Sequence, residues 1–246
     1  MLDLANILRI SVPSTVSIVG AGGKTSTMQR IAESMGKKVI ATTTTHISIE
    51  QAQAYPKHFR LNSREEIPAI ISECRKSAIC VTGSSSDGHR LNPIREDLFL
   101  EFNKHAHQEG FVLLVEADGS KMLPLKAPGE HEPQIPEWTE QVIVCCGMQG
   151  IGVALDDDHV HRADLFAELI GISRGDPVTE DAVARMVSHP NGGLKGIPKD
   201  SWVSLILNQA DDEIAQAHAL RIAMQVGNTA FNQILIASLG SNQVGS

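Results

Sequence analysis

The sequence predicts an α/β protein of the phosphate-loop NTPase type, with a mostly parallel sheet, helices on both faces and a small helical insertion. Three observations predict this class. Apolar runs alternate with helical patterns, most of the runs are continuous, and a glycine-rich loop follows the first run. Strands of a parallel sheet are buried on both faces, so they read as unbroken apolar runs.

The predicted strands are the seven apolar runs at 16–20, 38–44, 78–83, 111–117, 141–147, 202–208 and 233–239. Start signals mark several helices, among them a capping box of Ser63 with Glu66 and the pair Asn92-Pro93. The predicted helices are 27–35, 67–75, 94–107, 163–170, 182–188 and 214–226. Segment 155–200 shows helical patterns without a strand, so we expect a single domain over 1–246 in which 155–200 is an insertion or lid. Residues 240–246 are expected to fray.

Composition limits the possible functions. Hydrophobic residues make up 42% of the 246 residues and aromatic residues only 4%, which predicts an aliphatic core. A net charge of −8 without basic runs argues against nucleic-acid binding. No apolar run is long enough to span a membrane, and the first residues lack a secretory pattern. The four cysteines show no zinc spacing, so we expect reduced thiols and a cytoplasmic location.

The glycine-rich loop is typical of a polyphosphate site. Glycines let backbone N–H groups approach an anion, the following helix directs its positive end at it, a lysine adds a cation, and a threonine hydroxyl can ligate Mg²⁺. Ile18 stands where the full pattern has its first glycine, so the loop is closer to that of the Mur-type peptide ligases. The alternative is a glycine turn that only packs strand on helix. The predicted nucleotide-binding residues here are Gly20, Ala21, Gly22, Gly23, Lys24, Thr25 and Ser26.

Two carboxylates end the predicted strand 111–117. Glu116 and Thr25 are the predicted Mg²⁺ ligands, because Mg²⁺ prefers hard oxygen ligands and needs only one or two carboxylates beside the phosphates. Lys24 is predicted to act in catalysis, and Asp118 or His46 to orient a water or an acceptor. The alternative is a pair of solvated carboxylates at a strand end.

Polar residues after two other strands are candidates for substrate or phosphate contacts. Thr43, Thr44 and Thr45 precede His46, although threonine also has a high strand propensity on its own account. The proline-rich loop at 123–133 carries further charged residues, for which a plain solvent loop is the alternative. The candidates in the loop and its neighbourhood are Lys126, His131, Glu132 and, from the insertion, Arg162.

Asn208-Gln209-Ala210-Asp211 is similar to the Asn-Lys-x-Asp box with which GTPases read the base, with glutamine in place of lysine. Asn208 and Asp211 are therefore predicted to bind nucleotide. The alternative is a helix start capped by Asp211.

Two further clusters favour a structural interpretation. Cys145 and Cys146 could form a thiol site, but adjacent cysteines at a strand end are more often small buried hydrophobes. The mixed segment 156–162 could hold a metal, although a solvated, charged entry to a helix explains it better.

Taken together, these segments resemble the YqeC family over nearly the whole chain. The glycine loop and threonine run are followed by Glu116-Ala117-Asp118-Gly119-Ser120, by 124–128 with 130–133, by 160–162 and 194–196, and by Asn208-Gln209. The resemblance implies an accessory protein for selenium-dependent molybdenum hydroxylases that acts near selenium or molybdenum cofactor maturation. A molybdenum hydroxylase or a maturation protein is then the expected partner.

The expected function is Mg²⁺-dependent binding and hydrolysis of ATP or GTP. Two alternatives stay open. One is a Mur-like ligase or small-molecule kinase, and the other is a non-catalytic, nucleotide-dependent chaperone or switch.

Overall fold

The computed structural model describes residues 3–85, 88–227 and 230–240. Its helices are α1 (Leu4–Ile7), α2 (Lys24–Met35), α3 (Ile49–Gln53), α4 (Ile67–Cys74), α5 (Glu96–Gln108), α6 (Ala163–Ile170), α7 (Glu180–Ser188) and α8 (Glu213–Val226). Its strands are β1 (Ser14–Gly20), β2 (Val39–Thr43), β3 (Ile47–Ser48), β4 (His58–Arg60), β5 (Ile79–Thr82), β6 (Arg90–Leu91), β7 (Val112–Glu116), β8 (Leu125–Lys126), β9 (Gln141–Gly147), β10 (Val160–His161), β11 (Trp202–Asn208) and β12 (Gln233–Ile236). Short 3₁₀ turns lie at Arg64–Glu66 and Met148–Gly150.

The main sheet has eight strands in the order β12-β11-β9-β1-β7-β2-β5-β4, and its described pairings are all parallel. β1 lies near the centre, between β7 and β9. The carboxyl ends of all eight strands therefore meet at one edge, where ligands of such sheets bind. The predicted fold class is confirmed.

Helices cover both faces of the sheet because neighbouring strand residues point to opposite sides. In β9, Val142 and Val144 join a buried cluster with α6, α7 and α8, whereas Ile143 and Cys145 join one with α1 and α2. A third cluster packs α4 and α5 against β2, β5 and β7. The aliphatic core predicted from composition is thus formed in three parts on two faces.

Segment 155–200 packs directly onto the sheet. Phe166 of α6 and Val183 of α7 are buried in the same cluster as the strand residues Val144 and Leu205. The expectation that this segment lacks strands was wrong, because β10 within it pairs in parallel with β8 of the proline-rich loop. Two-residue strands give no periodic signal, so sequence patterns could not indicate them. Whether the segment moves as a lid stays a prediction.

Cap geometry confirms some predicted helix starts and corrects two. Helix α5 begins at Glu96 with Arg95 as its cap, so the Asn92-Pro93 pair precedes the helix without capping it. Glu66 accepts a hydrogen bond from the Ser63 N–H at 3.3 Å, as its capping box requires. The cap of α8 is Asp212 and not Asp211, since an Asp212 oxygen accepts from the Ala215 N–H at 2.8 Å. Helices α1 and α3 and the edge strand β4 were not predicted, since each is five residues or shorter.

No helix in the described ranges is long and apolar enough to cross a membrane. The tail predicted to fray lies, from residue 241 onward, outside the described residues.

Candidate nucleotide site

The glycine loop lies between the end of β1 and the start of α2, and its backbone leaves no room for side chains. Gly20, Gly22 and Gly23 have φ values of +94°, +73° and +122°. A Cβ at Gly22 would lie 2.3 Å from the Cα of Gly147, and one at Gly23 would lie 1.9 Å from Nδ2 of Asn208. The glycines are required both by conformation and by the close approach of β9 and β11.

The backbone N–H groups of this loop fall into two sets. The Ala21 N–H donates to the Cys145 carbonyl at 2.9 Å and the Gly22 N–H to the Leu123 carbonyl at 3.2 Å, so these hold the loop in place. The next N–H groups donate no hydrogen bond within the described residues; they belong to Gly23, Lys24, Thr25 and Ser26. They form the first turn of a 12-residue helix, where a positive dipole favours anions.

Lys24 is folded back under this turn. Its Nζ donates to the Gly20 carbonyl at 2.7 Å and lies 3.3 Å from Oδ1 of Asp118. Burial disfavours the ammonium, but the negative charges of Asp118 and Glu116 outweigh that effect and raise the pKa of Lys24. The loop therefore contains a permanent cation, which Asp118 neutralises.

Lys24 and Asp118 are the first two members of a row of alternating charges. We call this row the charge chain; its members are Lys24, Asp118, Lys126, Glu132 and Arg162. Oδ2 of Asp118 accepts from the Gly20 N–H at 2.9 Å and from Lys126 Nζ at 2.8 Å. Lys126 also donates to Glu132 at 2.8 Å. Arg162 then holds Glu132 with two parallel hydrogen bonds of 2.8 and 2.9 Å. The chain connects the glycine loop with the proline-rich loop and the insertion.

At the Arg162 end of the charge chain, the positive charges keep the carboxyl group of Glu132 ionised. Burial alone would raise the pKa of Glu132, but hydrogen bonds from Arg162 and Lys126 lower it to about 2. Burial and the positive charges of Arg162 and Lys126 lower the pKa of the neighbouring His161 to about 4, so its imidazole is neutral at neutral pH. Asp118 itself has its oxygens directed at two lysines and a backbone N–H, which favours a positioning role over contact with water.

The two predicted Mg²⁺ ligands lie on either side of Gln51, in α3. Its Nε2 donates to Thr25 Oγ1 at 3.1 Å and to Glu116 Oε2 at 3.4 Å. Burial, together with the charge of Asp118, raises the pKa of Glu116. Thr25 Oγ1 and Glu116 Oε2 both accept from the same Gln51 nitrogen, so the two oxygens lie close enough for one cation to contact both. Both are hard oxygen ligands, and the two residues therefore fit Mg²⁺.

Such a cation would need phosphate oxygens or water to complete its coordination. Among the described residues, no three His, Cys, Asp or Glu side chains are arranged to hold a metal ion. The mixed segment 156–162 instead has a hydrogen bond between His159 and Asp156 at 2.6 Å and an ion pair between Arg174 and Asp157 at 2.9 Å.

A polar groove of about 510 Å³ opens beyond β2 and next to the charge chain. The predicted site residues that line it are Thr44, Thr45, His46, His131, Glu132 and Arg162. His46 and His131 are exposed, whereas Thr44 donates to the Gln134 carbonyl at 2.7 Å. Thr43 does not line the groove and instead donates to the Glu116 carbonyl at 3.0 Å.

On the opposite side of the glycine loop, Asn208 is buried and uses both ends of its amide. Nδ2 donates to the Gly22 carbonyl at 2.9 Å, and Oδ1 accepts from the Leu239 N–H at 2.9 Å. Asp211 is exposed and accepts a hydrogen bond from the Ser238 hydroxyl. Their predicted contact with nucleotide stays a prediction, and Asn208 has a structural role as well.

Cys145 and Cys146 are buried, free thiols. Burial raises the pKa of each to about 12, so neither is a thiolate at neutral pH. This confirms the interpretation of the pair as small hydrophobic residues.

Three contributors to this site were not predicted from the sequence: Gln51, Ser238 and Gly147. A signal existed for Gln51, since Ser48 and Gln51 form a capping box three residues apart. Ser238 contacts Asp211, and Gly147 approaches Gly22, only because of how the strands are ordered in the sheet, which a single sequence does not reveal.

Comparison with known proteins identifies the family of this chain. The family model described as YqeC protein matches residues 16–164, which include the glycine loop, the carboxylates and the proline-rich loop. The chain is 31% identical over 223 residues to "Uncharacterized protein YqeC" of Escherichia coli (strain K12), which covers 87% of this chain and 84% of that protein. No solved structure matches the chain significantly.

Proposed function

The chain belongs to the YqeC family, and we propose that this member binds ATP or GTP with Mg²⁺ at its glycine loop and hydrolyses it. The observation that carries the proposal is the first turn of α2. Its N–H groups at Gly23–Ser26 donate to nothing within the described residues, directly above a buried lysine. Such a turn binds the oxygens of a polyphosphate.

Each residue has a part in this reaction. The N–H groups and Lys24 neutralise the outer phosphates, and Asp118 and Lys126 keep the ammonium in position. Thr25 and Glu116 hold Mg²⁺, and Gln51 occupies their oxygens until the cation displaces it. When bound, Mg²⁺ supplies charge stabilisation to the phosphates. Phosphoryl transfer needs little more than positioning and charge, so no nucleophile from the protein is required.

The test is a binding and hydrolysis assay with ATP and with GTP, with and without Mg²⁺. We expect Mg²⁺-dependent turnover by the wild type and a loss of about a hundredfold or more in Lys24→Ala. Lys104→Ala, which removes an exposed lysine of α5, is the matched control. A wild-type protein that neither binds nor hydrolyses a nucleotide overturns the proposal. Binding without turnover replaces hydrolysis with the role of a nucleotide-dependent switch.

The polar groove favours a second candidate function, transfer of the phosphoryl group to an acceptor. His46, His131 and Arg162 face a space of about 510 Å³, and the charge chain links that space to Lys24. The hydroxyl, imidazole and guanidinium groups that line the groove can donate hydrogen bonds to a carboxylate or another oxyanion as acceptor. A ligase or kinase hydrolyses slowly alone and turns over when its acceptor is added, so the same assay with candidate oxyanions separates the two functions.

The family resemblance supports a cellular role in selenium or molybdenum cofactor maturation for a hydroxylase, in the cytoplasm. Copurification of the tagged protein with a molybdenum hydroxylase, dependent on nucleotide, tests this role. Recovery of the hydroxylase in equal amounts with Lys24→Ala and without nucleotide would contradict a nucleotide-dependent interaction.

A further inference from the structure

The segments that follow β11 and β12 form one unit attached to the glycine loop. The Ala210 N–H donates to the Ala237 carbonyl at 3.1 Å, and the Leu239 N–H donates to Asn208 at 2.9 Å. The same Asn208 side chain donates to Gly22 at 2.9 Å. Segments 208–211 and 237–239 therefore keep a fixed position next to the phosphate-binding turn.

This unit lies on the side of the loop that the phosphate chemistry leaves open. Thr25, Glu116 and the polar groove lie toward β7 and β2, where the metal and the outer phosphate belong. Ligands of a parallel sheet extend along its carboxyl edge. A nucleotide with its outer phosphate toward β7 therefore extends its sugar and base toward β9, β11 and β12.

Asp211 is the side chain in this unit that can read a base. Its helix-capping role is taken by Asp212, whose oxygen lies 2.8 Å from the Ala215 N–H. Asp211 is exposed and forms no ion pair with a described residue, and the Ser238 hydroxyl donates to its Oδ1. That bond fixes the carboxylate and leaves Oδ2 and further lone pairs free to accept.

The chemistry of a fixed carboxylate selects among the purines. A carboxylate only accepts hydrogen bonds. Guanine offers two adjacent donors on its pairing edge, N1–H and the N2 amino group, whereas adenine offers the N1 acceptor beside its N6 amino group. Adenine N1 is an acceptor, so it cannot form a hydrogen bond with the carboxylate. Both groups would lose their hydrogen bonds to water without gaining a new one, which disfavours adenine.

We propose that the nucleotide of this protein is a guanine nucleotide and that Asp211, held by Ser238, accepts hydrogen bonds from N1–H and N2 of the base. This inference rests on the proposed nucleotide site and assigns its ligand to the guanine class. Asn208 has the positioning role, because it connects the base-reading segment with the phosphate loop.

The test is displacement of mant-GTP from the full-length protein by unlabelled GTP, ATP and XTP in the presence of Mg²⁺. We expect GTP to compete at least about tenfold better than ATP. In Asp211→Asn, the amide oxygen still accepts from Ser238, but the second carboxylate oxygen is replaced by an NH₂ donor. Xanthine has a carbonyl at C2 where guanine has an amino group, so the NH₂ donor matches xanthine. That variant should lose about ten- to hundredfold in GTP affinity and gain affinity for XTP. Glu213→Gln removes an exposed neighbouring charge and should leave the order unchanged.

The outcomes separate this inference from the function on which it rests. If ATP displaces the probe as well as GTP does, the guanine assignment is overturned while nucleotide binding stands. If Asp211→Asn weakens GTP and XTP equally, or changes neither, Asp211 does not read the base. If neither mant-GTP nor mant-ATP binds, the nucleotide site itself is overturned, and the guanine assignment with it.

Discussion

The two sides of the glycine loop differ in how they use their polar groups. Toward β9 and β11, the contacts are backbone to backbone or involve both ends of the Asn208 amide. Toward β7 and β2, Thr25 and Glu116 share one donor from Gln51, and a polar groove opens beyond them. The first side maintains the shape of the loop, and the second side has the groups that can change partners when a ligand arrives. Substitutions that remove the contacts holding the loop on the first side should therefore lower stability more than substitutions on the second side.

The largest effect is expected for Gly22→Ala. Its Cβ would lie 2.3 Å from the Cα of Gly147, and its φ of +73° disfavours any side chain. We expect a loss of about 3–5 kcal/mol in the free energy of unfolding, measured by urea denaturation. Gly36→Ala has a similar φ of +71° with nothing within 4 Å, so it should cost only about 1–2 kcal/mol. Equal losses in both variants would show that the contact with β9 does not matter.

Asn208→Ala should come next. It leaves the buried Gly22 carbonyl and the Leu239 N–H without a partner. The expected loss of stability is about 2–4 kcal/mol, with weaker nucleotide binding, because the loop and segment 237–239 are no longer connected. Thermal and urea denaturation measure the first effect, and titration with nucleotide the second. Asn191→Ala, at an exposed position, is the control, and a change as small as in that control would refute the connecting role.

On the second side, Glu132→Gln should cost about 1–2 kcal/mol at pH 7, a value reduced for the partial exposure of this side chain. The pKa of Glu132 falls from 4.5 to about 2 in the folded protein. Its carboxylate therefore stabilises the fold fully above pH 4.5, and this contribution is lost as the pH falls toward 2. The difference in unfolding free energy between wild type and variant should shrink from pH 6 to pH 3. Glu130→Gln, which removes an exposed carboxylate of the same loop, is the matched control.

The smallest change in stability, within about 1 kcal/mol, is expected for Gln51→Ala, which removes half of a capping box. Its effect should appear in the Mg²⁺ dependence of nucleotide hydrolysis. Because Gln51 occupies the oxygens that Mg²⁺ would use, the half-saturating Mg²⁺ concentration should fall about two- to tenfold. Gln53→Ala, exposed on the same helix, should leave that concentration unchanged. A higher Mg²⁺ requirement in Gln51→Ala would mean that Gln51 helps to assemble the metal site.

The sequence was most informative where a pattern has one physical cause. β9, β11 and α6 have the predicted bounds, because long apolar runs and an amphipathic helix leave few alternatives. The glycine loop was recognisable because three glycines next to Lys24 and Thr25 have few other uses. Elements of two to five residues, such as β10 and α3, carry too little periodicity to be found.

Contacts between residues far apart in the sequence could not be predicted. Lys24, Asp118, Lys126, Glu132 and Arg162 were each predicted as site residues, but nothing indicated that they contact one another in a row. Asn208 was predicted to touch nucleotide, whereas its amide is used by Gly22 and Leu239. Such contacts depend on strand order, and one sequence does not fix which strand follows which across a sheet.

The ion pair of Lys24 with Asp118 has a consequence for which anions the loop accepts. The charge of Lys24 is already neutralised by Asp118 before any ligand binds. An incoming anion must therefore interact with the lysine more favourably than Asp118 does, or gain further contacts in the loop. Inorganic phosphate brings little extra charge, and drawing Lys24 toward it would leave the buried Asp118 with one lysine fewer. A nucleoside triphosphate brings several charges and also meets the N–H groups of Gly23–Ser26. If the loop binds nucleotide as proposed, this ion pair makes it select polyphosphates over small anions such as inorganic phosphate.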